Sequence, residues 1–469
     1  MKQTADTTGA IDVTATPEYS FDTSGLHAQA IESYRKLLDD ALAVLPGGGN
    51  EGDQRVWIVP GRIEVLGKHV DYAGGRSLLC AIDRGIVVVA RPHDDRTLVV
   101  RDAIRREALS VPLHARRAHA RGLPWSIYPE TVIRRLNRNF GDALTGCDVA
   151  IASNLPPAAG VSSSSALTVG LTIAMAAISK LPSRALWQSA IPDRVALAGY
   201  VGALENGHDF GMLDGETGVG TMGGAQDQTA ILNCHARQLD VFSWKPVRHE
   251  RTVPFPDSLR FVIGVSGVVA AKTGAAKERY NRAARTAHLL VDAWNRRAER
   301  PVATLADAFE AAWTLHGGDT GDVPPELIRA ARNMANDEFS ADHLEARLHQ
   351  FHNETWKFVP AAAQAFADGN IQRIGEIAAA SQSGAEYALE NQIAETIAMV
   401  KMAREHGAFA ASAFGAGFGG SVWALVAADG VEEFCRSWKA SYISAFPSVA
   451  HRADVFFTLP SPSAFQLVP

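Results

Sequence analysis

The stretch that most constrains this chain is Asn154-Leu-Pro-Pro-Ala-Ala-Gly-Val-Ser-Ser-Ser-Ser-Ala-Leu-Thr-Val-Gly170, a Gly/Ala/Ser loop running straight into an apolar, helix-forming segment. Its residue types suit a phosphate cradle. Ala158, Ala159 and Gly160 leave room for backbone N–H groups to approach an anion. Ser162 to Ser165 bring hydroxyls to a helix N-terminus, where unpaired donors and the positive end of the helix dipole coincide. A serine hydroxyl there can also ligate a Mg2+ ion that bridges phosphates. The same residues also fit a serine-rich N-cap of an ordinary helix.

The rest of the chain bears on that choice. Its 469 residues leave room for two or three domains, and 47% hydrophobic with 20% charged residues is the composition of a globular protein with a sizeable core. A formal charge of -6 argues against nucleic acid or an acidic membrane surface as a partner, and for a small molecule. Cys80, Cys147, Cys234 and Cys435 lie far apart with no CxxC pair, so neither a zinc site nor a disulfide framework is indicated, and a reducing cytoplasm fits. No run of about 18 apolar residues occurs. Residues 1–23 are polar and rich in Thr, Asp and Ala, and are read as a disordered tail.

Apolar residues at helical spacing (Ile31, Tyr34, Leu37, Leu38, Ala41, Leu42) predict a helix from about Ser24 to Leu45, stopped by Pro46 and three glycines. Strands are expected at Arg55 to Gly67, Leu78 to Val89, Thr97 to Val100 and Cys147 to Ala152, with helices at Leu123 to Phe140, Leu167 to Ile178 and Val195 to Leu204. A buried strand at Leu259 to Ser266 and a helix from Ala275 to about Arg297 open a second unit, helix-rich from Val302 to His406. The chain then runs strand, glycine loop and strand over Ala408 to Val426, helix over Val431 to Tyr442, and strand over Ala453 to Thr458. Irregular alternation of the two element types favours an α+β fold over a wound parallel sheet. Two domains are expected, 24–250 and 251–469.

Three Gly-rich stretches stand out: Pro60 to Gly75, the serine loop, and Gly415-Ala-Gly-Phe-Gly-Gly420. In this order they resemble the three motifs of the galactokinase-like branch of the GHMP small-molecule kinases. Gly61-Arg62 with Gly67, His69, Asp71 and Tyr72 is similar to the galactokinase signature, Gly160 to Ser164 to the ATP-phosphate motif, and Phe414 to Gly420 to the third motif. The resemblance spans roughly residues 55 to 425 and implies a two-lobed α+β GHMP fold, with a β-rich N-terminal lobe and a C-terminal α/β lobe. It also implies ATP and Mg2+ as cofactors and phosphoryl transfer to a monosaccharide, at the anomeric hydroxyl. A monomer or weak homo-oligomer is expected.

What the resemblance implies for single residues follows the motifs. Asp227, in Gly223-Gly-Ala-Gln-Asp-Gln228, corresponds to the aspartate facing the acceptor hydroxyl, and Arg62 to the arginine beside it. Phosphoryl transfer needs little more than a positioned hydroxyl, a nearby carboxylate and screening positive charge. Gly160, Val161, Ser162, Ser163, Ser164, Gly417 and Gly419 are expected on the nucleotide, and His69, Asp71, Tyr280 and Lys68 on the sugar. Ser164 and Glu205 are candidates for the metal, with Asp209, Asp214 and Glu216 as competitors. Two departures stand inside the signature: Glu64 where galactokinases place asparagine, and Lys68 where they place a sugar-binding glutamate. An ammonium can only donate hydrogen bonds, so Lys68 raises an alternative acidic substrate such as a uronate, unless it pairs with Glu64 instead. A sugar- and nucleotide-binding sensor without turnover is the alternative of another class. Asp209-Phe-Gly211 lacks every companion of the protein-kinase triplet, His343, His349 and His352 lack HExxH spacing and read as solvated, and Arg105, Arg106, Arg116, Arg117 and Arg121 read as a solvated basic loop.

Overall fold

The computed structural model describes residues 19–21, 25–46, 53–114, 123–269, 275–315 and 321–468. Its strands are β1 (Arg55–Leu66), β2 (Arg76–His93), β3 (Thr97–Asp102), β4 (Glu107–Pro112), β5 (Gly146–Ser153), β6 (Gln238–Ser243), β7 (Arg248–Pro254), β8 (Leu259–Val265), β9 (Ala410–Phe414), β10 (Ser421–Ala427), β11 (Asp454–Thr458), β12 (Pro460–Ser461) and β13 (Phe465–Leu467). In the first half the helices are α1 (Ala28–Val44), α2 (Ile127–Phe140), α3 (Ser163–Ile178), α4 (Ala185–Ala190), α5 (Arg194–Asn206) and α6 (Gln226–Asn233). The second half adds α7 (Ala275–Asn295), α8 (Leu305–Thr314), α9 (Pro325–Arg332), α10 (Ala341–His352), α11 (Val359–Ala367), α12 (Ile371–Tyr387), α13 (Ala394–Glu405) and α14 (Val431–Ala445). The fold is the expected mixture of α and β, with two sheets.

The first sheet runs in the order β13-β1-β2-β5-β3-β4, and the far end of β2 pairs with β6, which pairs with β7. All these pairings are antiparallel except β3 with β5. The apolar run Ile86 to Ala90 reads continuously because β2 is covered on both faces. Val87 and Val89 join Tyr34, Leu38 and Ala41 of α1, whereas Ile86, Val88 and Ala90 pack with Leu167, Leu171 and Ala174 of α3. The second sheet, β11-β8-β10-β9, is wholly antiparallel. Val262, Val422 and Ala424 face Met399 of α13 and Trp438 of α14, while Phe261, Ile263 and Trp423 join the core under the first sheet. Trp423 Nε1 donates to Val65 O at 3.2 Å and so ties the sheets together. Because β12 and β13 return to the first sheet, residues beyond 251 contribute to both.

Two expectations are corrected. Tyr19 and Phe21, inside the stretch read as a disordered tail, are buried among α1 residues, and Gln54 Nε2 donates to the Tyr19 hydroxyl at 2.9 Å; residues 1–18 and 22–24 lie outside the described residues. The β6–β7 hairpin falls where no strand was expected, because only Leu239, Val241 and Val253 carry its apolar alternation and β7 opens with four exposed polar residues, Arg248 to Arg251.

Gly67 closes β1 with φ +96°, and a Cβ there would stand 2.5 Å from Arg76 O and from the Ser77 backbone. Gly67→Ala is therefore expected to destabilise the protein by at least about 1–3 kcal/mol, from the left-handed backbone alone. Chemical denaturation of the purified variant checks this; an unchanged midpoint would refute it.

Candidate active site

One cavity of about 430 Å³ opens between β1, the serine loop and the ends of α5 and α6. Arg62 and Glu64 stand two residues apart on β1 and so share the face turned toward it. Register shifts in the β1–β2 pairing on either side of them set how these side chains project. Gly61 lets the serine loop reach the strand: a Cβ would lie 2.8 Å from Val161 O, which accepts from the Arg62 N–H at 3.3 Å.

The loop itself is built from left-handed backbone at Ala158, Gly160 and Ser162, and α3 begins at Ser163. Ser162 stands at the N-cap position but its side chain caps nothing. Its Oγ is buried in the cavity wall with no protein partner. That arrangement speaks against the simple N-cap reading, since an N-cap serine accepts from the first turn of the helix. Ser163 and Ser164 also line the cavity, as does Gly160.

Asp227 lies in the first turn of α6, whose positive N-terminal end favours a carboxylate. Arg62 grips its Oδ1 through Nε at 2.8 Å and Nη2 at 2.7 Å, and a third nitrogen, Nη1, donates to Gly160 O at 2.5 Å. Ser165 Oγ donates to Oδ2 at 3.3 Å. The ion pair is nearly closed off from solvent, with side-chain exposures of 4% and 14%.

The signature loop forms the opposite wall. Asp71 Oδ2 accepts from Gln226 N at 3.4 Å, and burial first, then the neighbouring Asp227 charge, raises its pKa. Gly224 permits that approach, since a Cβ would stand 2.5 Å from Asp71 Oδ2. His69 has φ +55°; its Nδ1 is 3.0 Å from the Tyr72 hydroxyl and its Nε2 is 3.2 Å from Ala416 O. Burial, followed by the Arg347 charge, pushes its pKa down to about 4, so the ring is neutral at physiological pH. Tyr280 packs on His69 with ring centroids 5.4 Å apart and lines the cavity.

Several expected residues sit elsewhere. Lys68 is fully buried and off the cavity wall. Its Nζ donates to Ser381 Oγ at 2.6 Å and Ser412 Oγ at 2.9 Å, and burial lowers its pKa against the opposing fields of Glu354 and Glu64. Lys68 is thus corrected from a sugar contact to a support of the loop, with Glu354 as its principal counter-charge and Glu64 second. Val161 is buried behind the cavity. Gly417 and Gly419 shape the third loop against Asn391 and Val268, and only Gly415 and Ala416 of that loop line the cavity. Glu205, on α5, is buried and lines the cavity, as Ser164 in the first turn of α3 does. Its competitors are not on the wall: Asp209 accepts from Gly215 N, Asp214 pairs with Arg138, and Glu216 accepts from Thr217 N.

Other wall residues went unread in the sequence. Trp125, Tyr128, Ile86, Leu155 and Leu167 share one apolar cluster and line the cavity, signalled only by the aromatic residues just before and within the first turn of α2. Arg105 also lines the cavity and donates to Asp102 Oδ2 at 2.6 Å, so it is not a freely solvated charge; Arg116, Arg117 and Arg121 lie outside the described residues. His352 is buried and stacks on Phe309, which corrects the reading of it as solvated.

With this geometry in view, three family models match the chain in order. They are the galactokinase galactose-binding signature over residues 48–92, the N terminal domain of GHMP kinases over 127–207, and the GHMP kinases C terminal over 362–444. The chain belongs to the GHMP kinases, on their galactokinase-like branch. This kinase is 28% identical over 444 residues to a galactokinase of Streptomyces coelicolor, covering 93% of this chain and 100% of that one. It is 27% identical over 392 residues to a galactokinase of Chloroflexus aggregans, covering 83% and 88%. The fold matches that of Lactococcus lactis galactokinase, solved with galactose, at a TM-score of 0.71 and 21% identity over 92% of this chain and 99% of that chain. It also matches a Methanococcus jannaschii mevalonate kinase at 0.51 and 12% identity over 88% and 99%. Membership makes the protein an ATP-using phosphotransferase. No helix among the described residues is long and apolar enough to cross a membrane.

Glu64 supplies a pH test of the site. Burial raises its pKa to about 8, outweighing the nearby Lys68 and Arg62 charges and the hydrogen bond from Gln226. A folded pKa above the unfolded one means that its contribution to stability is present below about pH 4.5 and is lost as pH rises through 8. Glu64→Gln removes that titration. The variant is expected to gain about 2 kcal/mol or more relative to the native chain between pH 5 and pH 8. Urea denaturation at the two pH values measures it; parallel behaviour of the two proteins would refute the raised pKa.

Proposed function

We propose that this kinase transfers the γ-phosphoryl group of ATP to the anomeric hydroxyl of galactose or a closely related neutral sugar. The observation that carries the reading is the closed Arg62–Asp227 pair, set between the serine loop and the His69/Asp71 wall of one cavity. The curated galactokinases named above span nearly the whole chain, which supports galactose as the first sugar to test.

In this reading the triphosphate lies along the serine loop, with the base at the Trp125/Tyr128 end. Backbone N–H groups at the start of α3 and the unpartnered Ser162 Oγ offer donors to phosphate oxygens. The sugar lies against His69, Asp71 and Tyr280. Its anomeric oxygen attacks the γ-phosphorus, an O–P bond forms as the bond to the β-phosphate oxygen breaks, and ADP leaves. Asp227 accepts the hydroxyl proton, and Arg62 both keeps that carboxylate ionised and offsets charge on the moving phosphoryl group. Asp71 and the neutral His69 ring orient hydroxyls by hydrogen bonds.

Mg2+ fits the wall chemically. Ser164 and Glu205 offer a hydroxyl and a buried carboxylate there, whereas Asp209, Asp214 and Glu216 are off the wall. These two residues would hold the ion, which when bound screens phosphate charge.

A uronate is not favoured as substrate, because the ammonium that would read it is enclosed by Ser381 and Ser412. A sensor without turnover is not favoured either, since it has no use for the Arg62–Asp227 pair.

A coupled ADP-release assay over galactose, other hexoses, pentoses and uronates tests the reading, with Asp227→Asn as its control. The variant is expected to lose at least about 10²-fold in kcat while its ATP affinity stays within about twofold. Near-native turnover by the variant, or no sugar-dependent ADP release by the native protein, would overturn it. Lys68→Met separates support from recognition. Removing the cation from its buried network is expected to destabilise by about 3–5 kcal/mol. The kcat/KM ratio of galactose to galacturonate, measured below the shifted melting temperature, is expected to stay within about threefold of native. A large change in that ratio would return Lys68 to the substrate.

A further inference from the structure

The β6–β7 hairpin carries a cluster that phosphoryl transfer does not use. His235 precedes β6, Asp240 lies within it and His249 lies within β7. One ligand atom from each lies within 4.8 Å of the others, the one such group of three among the described residues. Asp240 is fully buried, whereas the His235 and His249 side chains are 55% and 37% exposed. His235 Nδ1 and His249 Nε2 each stand 2.9 Å from the same oxygen, Asp240 Oδ1. That carboxylate is held independently of the rings: Oδ2 accepts from the His235 backbone N–H at 2.9 Å, and Oδ1 accepts from Thr252 Oγ1 at 2.8 Å.

We propose that His235, Asp240 and His249 bind a first-row divalent transition-metal ion, with water completing its coordination. Two imidazoles and a carboxylate suit Zn2+, Co2+ or Ni2+ and not the oxygen-seeking Mg2+ or Ca2+. Two ligands about 2.1 Å from a shared ion at right angles stand about 3 Å apart, which is the spacing each ring nitrogen already keeps from Oδ1. A tetrahedral ion needs that spacing widened by about half an ångström, a movement open to two exposed rings. Each imidazole would bind through the ring nitrogen that faces Asp240 Oδ1, in the tautomer that carries its proton on the far nitrogen. The neighbouring Cys234 is buried, and its sulfur is not among the three ligand atoms of the group.

The ion straps β7 to β6, its one strand partner among the described residues, and β6 in turn pairs with β2. The same hairpin supports the sugar wall: Trp244 N donates to Gly75 O at 3.1 Å, and Lys245 lies in the field of Asp71. The role is structural, and the inference stands independently of the sugar phosphorylated.

The test uses the full chain, stripped with chelator and titrated with Zn2+ by calorimetry, with bound metal counted by elemental analysis. One equivalent per chain is expected, with a melting temperature raised by about 2–4 °C or more at saturation. His235→Ala/His249→Ala, at two exposed positions, is expected to bind at least about tenfold more weakly and to lose the thermal shift while retaining ADP release. Mg2+ at the same concentration is expected to give no shift. As a second measurement, Co2+ added to the native chain is expected to give visible absorption bands that Zn2+ abolishes and that His249→Ala alone lacks. Equal Zn2+ binding by native and double-variant chains, or none by the native chain, would overturn the site and leave a hydrogen-bonded cluster.

Discussion

The Arg62 guanidinium is the contact on which the site depends, because its fork joins three segments distant in sequence. It leaves β1, takes the Asp227 carboxylate at the start of α6 with two nitrogens, and takes the serine-loop carbonyl of Gly160 with the third. A planar fork with fixed donors can make those contacts at once; an ammonium cannot. Enclosure strengthens the pair and also makes it costly to break, since either partner left alone would be a buried uncompensated charge. The same contact therefore holds the fold locally and places a carboxylate and a cation beside the serine loop.

Behind the signature loop a second polar network does comparable work without touching the cavity. Glu354 lies on a π-helical turn, Asn353–Phe358, between α10 and α11. It accepts from Gly67 N at 2.8 Å and from Ser381 Oγ at 2.5 Å, and Ser381 in turn accepts from Lys68. Arg347 Nη2 donates to His69 O at 2.6 Å, and Gln350 Nε2 to Lys68 O at 3.0 Å. The positive φ of His69 is a strained conformation for a side chain of that size, and these bonds from α10 hold it. The helical region beyond residue 340 thus fixes the backbone of a loop nearly 280 residues earlier, which is why the loop's rigidity is invisible in its own sequence.

That separation explains what could be read from residues alone. Periodicity placed α1, β1, β2, β5, β8 and α14, because each buries apolar side chains on a regular face. It missed β7, whose exposed polar residues carry no such pattern. Motif resemblance brought Arg62, His69, Asp71, Ser164, Glu205, Asp227 and Tyr280 together, and all line one cavity. It failed for Lys68, since a resemblance transfers a position and not the direction of a side chain whose chemistry has changed from acceptor to donor. Nothing near Lys68 in the sequence announces Ser381, Ser412 or Glu354. Likewise Trp125 and Tyr128 have ordinary core identities until β2 and α3 are seen to leave a space beside them.

The two departures inside the signature are coupled through charge. A cation at Lys68 is balanced chiefly by Glu354, so an ionised Glu64 beside it would add a buried negative charge close to Asp71 and Asp227. Burial settles this by keeping Glu64 protonated up to about pH 8. One of its oxygens, Oε2, already accepts the Gln226 amide, and Oε1 has no protein partner and belongs to a residue of the cavity wall. The proton is therefore best placed on Oε1. A neutral carboxyl so arranged offers one donor and one acceptor, close to what an asparagine amide offers at the same position. The substitution that looks like a change of sign in the sequence is, in the folded protein, nearly a change of shape alone.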